Sequence, residues 1–230
     1  MSVGELIKLA CGLFGEFRPQ HEQDIDEDLL KLIQDGLERN VAEFIKVIPS
    51  HHIPSLIHSL QNLPVVPIDH KGGFISLANV EPSFFRLVSF EHNEWERTLT
   101  DEDLISVTST KRKLQENRFT AGGISRPVIS LEYSQGWTNS KELGLCFWGY
   151  KYNIEAGNRL LYVRKVEDLE TLVTLDKWLL TAYCYYALAT VFITTQEENL
   201  HNLFLKKYME ILSIHNIDPR QPVRFNTDGK

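Results

Sequence analysis

Residues 168–195 read DLETLVTLDKWLLTAYCYYALATVFITT, the longest segment of this chain with little charge. Apolar residues recur in this segment at spacings of three, four and seven, which is the period of one helix face. Asp168 is placed to cap the first turn, and neither Gly nor Pro interrupts the run. We predict a long helix, and its length of roughly 40 Å at about 1.5 Å per residue leaves room for a break.

The opposite face of this predicted helix is also apolar, which is typical of a helix in a core or in a membrane. The part from Trp178 to Thr195 carries no charge and is just long enough to raise the question of a membrane span. Threonine and tyrosine residues interrupt it, however, and no basic cluster flanks either end. We therefore predict a core helix of a soluble protein that does not enter a membrane.

The composition is that of a folded soluble protein, with 230 residues of which 43% are hydrophobic and 24% charged. The net charge of -7 argues against broad, sequence-independent binding to nucleic acid, because phosphate repels such a surface. Cys11, Cys146 and Cys184 are widely spaced in apolar contexts, which predicts buried free thiols in a reducing compartment. The first residues lack the charge order of a signal peptide, so the expected location is cytoplasmic.

The whole pattern predicts one α+β domain over residues 1–230. In it, a mostly antiparallel sheet is packed by the long C-terminal helix, with a helical N-terminal layer. That layer takes residues 1–63, strands dominate residues 64–166, helices occupy residues 167–215, and residues 216–230 form an irregular tail.

The N-terminal layer is predicted to contain several short helices. The first covers residues 5–17, and its small residues Gly12 and Gly15 suggest close packing against a neighbour. Helical periodicity continues at residues 29–37 and 41–48, and a further helix is expected from Pro54 to Leu63.

Strand patterns begin at Pro64. A glycine turn at Gly72-Gly73 is expected to join two strands, and a third strand follows at residues 84–90. The turn signal Ala156-Gly157-Asn158 predicts a hairpin between strands at 143–153 and 159–166. Another strand is expected from Pro127 to Tyr133, and residues 108–125 are expected to form a mobile loop.

The candidate binding residues form a basic stretch inside this acidic chain. They are Lys111, Arg112, Lys113, Arg118 and Arg126. Such a patch beside a glycine-containing loop is suited to phosphates or to an acidic partner, and Phe119 or Trp137 could add stacking. The alternative is a solvated loop whose positive charges compensate the acidic residues between positions 91 and 103.

Signatures of catalysis or metal binding are missing from the sequence. It contains no Walker A motif, no G-x-S-x-G, no HExxH and no CxxC. His51, His52, His58 and His70 lie close together but lack metal-ligand spacing, so they are predicted to be surface histidines. We predict no catalytic residue, no metal and no cofactor.

These observations favour a non-enzymatic adaptor or regulatory protein that acts through protein–protein contacts. The alternative is an accessory protein that binds or processes nucleic acid through the basic loop 111–126. A third hypothesis is an enzyme whose active site is assembled from residues distant in the sequence.

Overall fold

The computed structural model describes residues 1–17, 27–68, 72–78, 80, 84–117, 119–134, 138, 141–150 and 157–218. These residues divide into two compact units. A helical unit combines Met1–Ser55 with residues 166–218, and a sheet unit consists of Leu56–Lys165. The predicted α+β class is confirmed. The single domain stays a prediction, because compact units can belong to one domain.

The α-helices of the described residues are, in chain order, α1 (Val3–Gly15), α2 (Glu27–Arg39), α3 (Val41–Val47), α4 (Thr110–Lys113), α5 (Leu169–Leu172), α6 (Lys177–Thr194) and α7 (Glu198–Ile214). The strands are β1 (Ile57–Gln61), β2 (Val66–Ile68), β3 (Gly72–Ser76), β4 (Phe84–His92), β5 (Leu99–Thr100), β6 (Val128–Tyr133), β7 (Leu143–Trp148) and β8 (Asn158–Arg164).

The predicted long helix is present but broken. Asp168 caps the short helix α5 by accepting a hydrogen bond from the Thr171 backbone at 2.6 Å, and residues 173–176 separate α5 from α6. Helix α6 is buried on most sides, and α1, α2 and α7 pack against it. Phe14 of α1, for example, stacks on Phe192 of α6 at 5.3 Å between ring centroids. No helix in the described ranges is long and apolar enough to cross a membrane.

The C-terminal ends of α6 and α7 share one geometry. Gln196 and Asn216 adopt the left-handed conformation, with φ of 62° and 57°. The next residue then donates a backbone hydrogen bond back into the last turn, as Ile217 does to Leu212 at 2.9 Å. Such an end satisfies carbonyls that the helix itself leaves free. The burial of Ile217 fixes the path of the chain where α7 ends.

The sheet unit contains two four-stranded antiparallel sheets, with strand orders β1-β8-β4-β5 and β2-β3-β7-β6. One hydrophobic cluster holds residues from both sheets. Phe90 of the first contacts Phe147 of the second, with 5.3 Å between ring centroids. Alternate residues of β7 point to opposite faces, because Cys146 and Trp148 belong to a second cluster on the other face.

Three sequence expectations are wrong. Residues 57–61 form strand β1, not a helix, because they pair with β8. Strands β7 and β8 do not form a hairpin, since they lie in different sheets. Gly12 and Gly15 face open space, so the first helix does not pack closely there. The predicted pairing of two strands around Gly72-Gly73 is present between β2 and β3, but Gly72 and Gly73 lie inside β3, paired with Ile68 and Pro67, and do not form the turn.

Candidate functional site

The basic stretch follows a segment that is fastened to β6 of the sheet unit. Leu104 forms a parallel bridge with Ile129, and the Ile105 backbone donates to the Ile129 carbonyl at 3.0 Å. Ser109 then caps α4 by accepting from the Arg112 backbone at 3.1 Å. The interval predicted to be a mobile loop therefore begins with ordered helical structure.

Arg112 is the basic residue that anchors α4. Its guanidinium binds both carboxylate oxygens of Glu132 on β6: Nε donates to Oε1, and Nη2 donates to Oε2 at 3.0 Å. The two side chains are only 6% and 1% exposed. A two-point contact of this kind orients both partners and compensates the cost of removing their charges from water.

The surroundings of this pair add further contacts. The Arg112 guanidinium lies 4.6 Å from the centroid of the Trp148 ring, a cation–π arrangement, and the Ser130 hydroxyl donates to Glu132. Burial lowers the pKa of Arg112, but the hydrogen bonds and charge of Glu132 outweigh it and leave that pKa raised. Arg112 is therefore charged and committed to an internal ion pair.

Gln115 closes the turn that follows α4. Its side chain is 3% exposed, donates to the Lys111 carbonyl at 2.8 Å and accepts from the Gly122 backbone at 2.6 Å. The Thr120 hydroxyl donates to the Leu114 carbonyl at 2.6 Å. These bonds hold the ends of the turn together and leave Leu114 and Phe119 exposed.

Lys111, Lys113, Leu114 and Phe119 are exposed on this fastened turn, and we call them the basic–apolar surface. Phe119 is 91% exposed and Leu114 is 44% exposed, so neither is packed against the sheets. Lys111 and Leu114 are three residues apart on consecutive helical turns and therefore share a face. Exposed apolar side chains beside cations are typical of contact surfaces.

The predicted binding residues thus separate into three groups. Lys111, Lys113 and Arg126 are exposed and form no ion pair within the residues that the structure describes. Arg112 is internal. Arg118, like the predicted stacking residue Trp137, lies outside the described residues.

Two of the acidic residues that precede the stretch bind other residues in the described part of the chain. Asp103 pairs with Arg97 at 2.8 Å, and Glu91 accepts from Thr98 at 3.0 Å. A hollow of about 230 Å³ in the β4–β5 connection has Glu91, Arg97, Thr98 and Trp95 among its lining residues. Two of its charged groups, Arg97 and Glu91, are thus bound within this part of the chain.

The three cysteine thiols are shifted toward their protonated form. Burial raises the pKa of the Cys146 and Cys184 thiols, and it raises that of the half-buried Cys11 as well. A protonated thiol is a poor nucleophile and a poor metal ligand. The prediction of buried free thiols is confirmed for Cys146 and Cys184, whereas Cys11 is partly exposed.

The four predicted surface histidines do not behave alike. His51 is exposed, His52 is partly buried, and His58 lies on β1 against Tyr162 at 5.7 Å between ring centroids. His70 falls outside the described residues. Within the described ranges, no three His, Cys, Asp or Glu side chains are grouped so that they could hold a metal ion.

Two residues of this region were missed at the level of sequence. Leu114 carried no signal, because an isolated leucine between polar residues looks like any core residue. Glu132 did carry one, since an acid inside the apolar strand VISLEY needs a counter-charge.

No protein-family model matches this chain, and no curated protein sequence matches it.

Proposed function

We propose that the protein is a non-enzymatic adaptor that binds an acidic segment of another protein through the basic–apolar surface. The observation that carries this proposal is the 91% exposure of Phe119 on a turn whose backbone is fastened by buried Arg112 and Gln115. An anchored turn loses little conformational entropy on binding, so its exposed side chains contribute more of their contact energy.

The charges of the surface favour an acidic partner. Lys111 and Lys113 lie on the same turn as the apolar residues Leu114 and Phe119 and form no ion pair within the described chain. Complementary charge increases the association rate and selects among partners, while a buried aromatic anchor supplies affinity. A segment with several carboxylates around one apolar side chain fits both features.

Nucleic acid is the less favoured partner. Of the two arginines in the described part of the stretch, Arg112 is already bound to Glu132, which leaves only Arg126 exposed to bind phosphate. The protein carries a net charge of -7, and Val107 adds a third exposed apolar side chain in the same segment. Phe119 beside lysines would nevertheless suit base stacking, so an oligonucleotide belongs in the test.

Nearby groups that could do chemistry support a binding role. Glu132 is held by Arg112 and Ser130, and the pKa of the adjacent Cys146 thiol is raised, first by burial and then by the charge of Glu132. Both groups belong to the packed sheet beneath the turn that carries the basic–apolar surface.

A selection of short random peptides displayed on phage tests the proposal directly. The full-length protein should enrich peptides that carry several acids around one aromatic or aliphatic residue. Synthetic copies should bind the Phe119→Ser variant and the Lys111→Glu/Lys113→Glu variant about tenfold more weakly, by fluorescence anisotropy. Added salt should weaken binding further, because exposed charges are screened.

The matched control is Lys31→Glu/Lys206→Glu, which changes the net charge equally at two exposed lysines of the helical unit. It should bind the peptides like the unaltered protein. Enrichment without acids, or equal binding to all variants, would overturn the proposal. Binding of a single-stranded oligonucleotide that these surface variants abolish would instead favour the nucleic-acid hypothesis.

A further inference from the structure

Three imidazoles and one indole meet in the helical unit, away from the basic stretch in the sequence. The ring centroids of His51 and His52 are 4.1 Å apart, and His52 lies edge-on to Trp178 at 5.3 Å. Trp178 in turn stacks on His215 at 3.6 Å with an interplanar angle of 14°. The His52 and His215 centroids are 6.2 Å apart. We call these four residues the histidine clasp.

The histidine clasp joins three separate parts of the chain. His51 and His52 lie in the short 3₁₀ turn Ser50–His52, Trp178 lies in the first turn of α6, and His215 caps the C-terminal end of α7. The burial of Ile217 holds His215 in place at that end. The ring contacts therefore connect the turn to the two long C-terminal helices.

The burial of His52 and the charged groups that face it together oppose its protonation. Burial lowers the pKa of His52 below its ordinary value, and His51 on the same turn and His215 at the end of α7 lower it further. Asp176, just before α6, acts in the opposite direction. The ring contacts are therefore made by a neutral His52 at neutral pH.

We infer that the histidine clasp is an acid-sensitive switch, in which protonation of His52 separates the turn Ser50–His52 from the ends of α6 and α7. This device is independent of the proposed adaptor function. A proton on His52 places a charge beside two other imidazoles and against a partly buried indole, where water cannot fully solvate it. Opening the contacts returns that charge to water.

The direction of the pH effect follows from the lowered pKa. The closed form binds fewer protons at His52 than an open form in which His52 has its ordinary pKa of about 6.5. The clasp is therefore most stable above that pH, and its stability decreases as the pH falls below it.

Heteronuclear NMR of the full chain tests the inference, with the Trp178 indole signal and amide exchange at the end of α7 as the two readouts. Between about pH 7.5 and 4.5, the Trp178 signal should shift in step with the His52 ring. The protection of the Ile217 amide, which donates to Leu212, should fall by about tenfold over the same range.

His52→Gln should remove this step from both readouts, whereas the control His58→Gln on β1 should retain it. If His52→Gln does not fold, His51→Gln provides the second variant. It removes the neighbouring charge that lowers the pKa of His52 most, so the step should move to higher pH. A Trp178 signal and an Ile217 protection that do not change with pH, or that change equally without His52, would overturn the switch.

Discussion

Glu132 shows how a single charged residue can determine the position of a whole segment. It lies 2% exposed on a strand whose preceding residues are buried, and its only charged partner among the described residues is Arg112. An unpaired carboxylate at this depth would be costly, so the ion pair fixes α4 against the sheet. The same contact turns Leu114 and Phe119 outward.

This role predicts an asymmetry between single and double substitutions. Glu132→Leu leaves the buried guanidinium with only the exposed Glu116, 3.5 Å from Nη1, as a counter-charge, and we expect the free energy of unfolding to fall by about 3–5 kcal/mol. Arg112→Met/Glu132→Leu replaces both charges by apolar side chains and should recover most of that loss. Urea unfolding measures both variants. A double variant less stable than Glu132→Leu would show that the two charges are not coupled.

Part of this site was predictable from sequence at the scale of residues. The basic stretch is visible, and so is the acid inside VISLEY. Which of three consecutive basic residues turns inward is not visible, because Lys111, Arg112 and Lys113 have the same local context. The geometry of α4 decides it by directing only Arg112 toward Glu132 and the Trp148 ring.

At the scale of elements, the prediction from sequence was correct for helix α6 and wrong for strand β1. Its unbroken apolar character predicted burial, and Leu179, Cys184 and Leu188 are buried as expected. Local periodicity failed for β1, since Leu56, Ile57 and Leu60 also fit a helix face. Pairing with β8, about a hundred residues away, determines the strand there.

Two helix glycines differ in what surrounds them and so provide a test of packing. A methyl group at Gly36 of α2 would lie 2.3 Å from Val191 Cγ2 on α6, and the branched valine cannot easily move aside. At Gly12 of α1 nothing lies within 4 Å. The contact between α2 and α6 is therefore tight, while this part of α1 is open.

We expect Gly12→Ala to raise the free energy of unfolding by about 0.5–1 kcal/mol through helix propensity alone. Gly36→Ala gains the same propensity but adds an overpacking cost, so it should be less stable than Gly12→Ala by about 1–3 kcal/mol. Thermal and urea unfolding of the two variants give this difference. Equal stability would mean that Val191 relaxes without cost.

The class of the molecule could be predicted from sequence, but its connectivity could not. Strand and helix periodicities indicate α+β, whereas strand order depends on contacts between distant segments. The turn at Gly157 suggested that β7 and β8 pair with each other. In the structure, β7 lies between β3 and β6, and β8 lies between β1 and β4. Where two sheets share one core, a local turn signal does not show to which of the two sheets each flanking strand belongs.

Among the described residues the sheet unit is one continuous stretch of the chain, which allows a test at the scale of the molecule. Leu56–Lys165 contains both complete sheets and the cluster that they share, within the usual size of a domain. We expect this segment, expressed alone, to unfold cooperatively and to give a strand-type circular dichroism spectrum. A disordered spectrum would show that it needs the rest of the chain.

The helical unit, in contrast, is interrupted in sequence by the whole sheet unit, and this affects how the protein is made. On the ribosome, α1 and α2 emerge long before α6, against which both pack. At typical rates of translation, the apolar faces of the nascent N-terminal helices wait on the order of 10 s for their partner. During that interval those faces are accessible to chaperones, whereas the strands β1 to β8 have all emerged before α6 does.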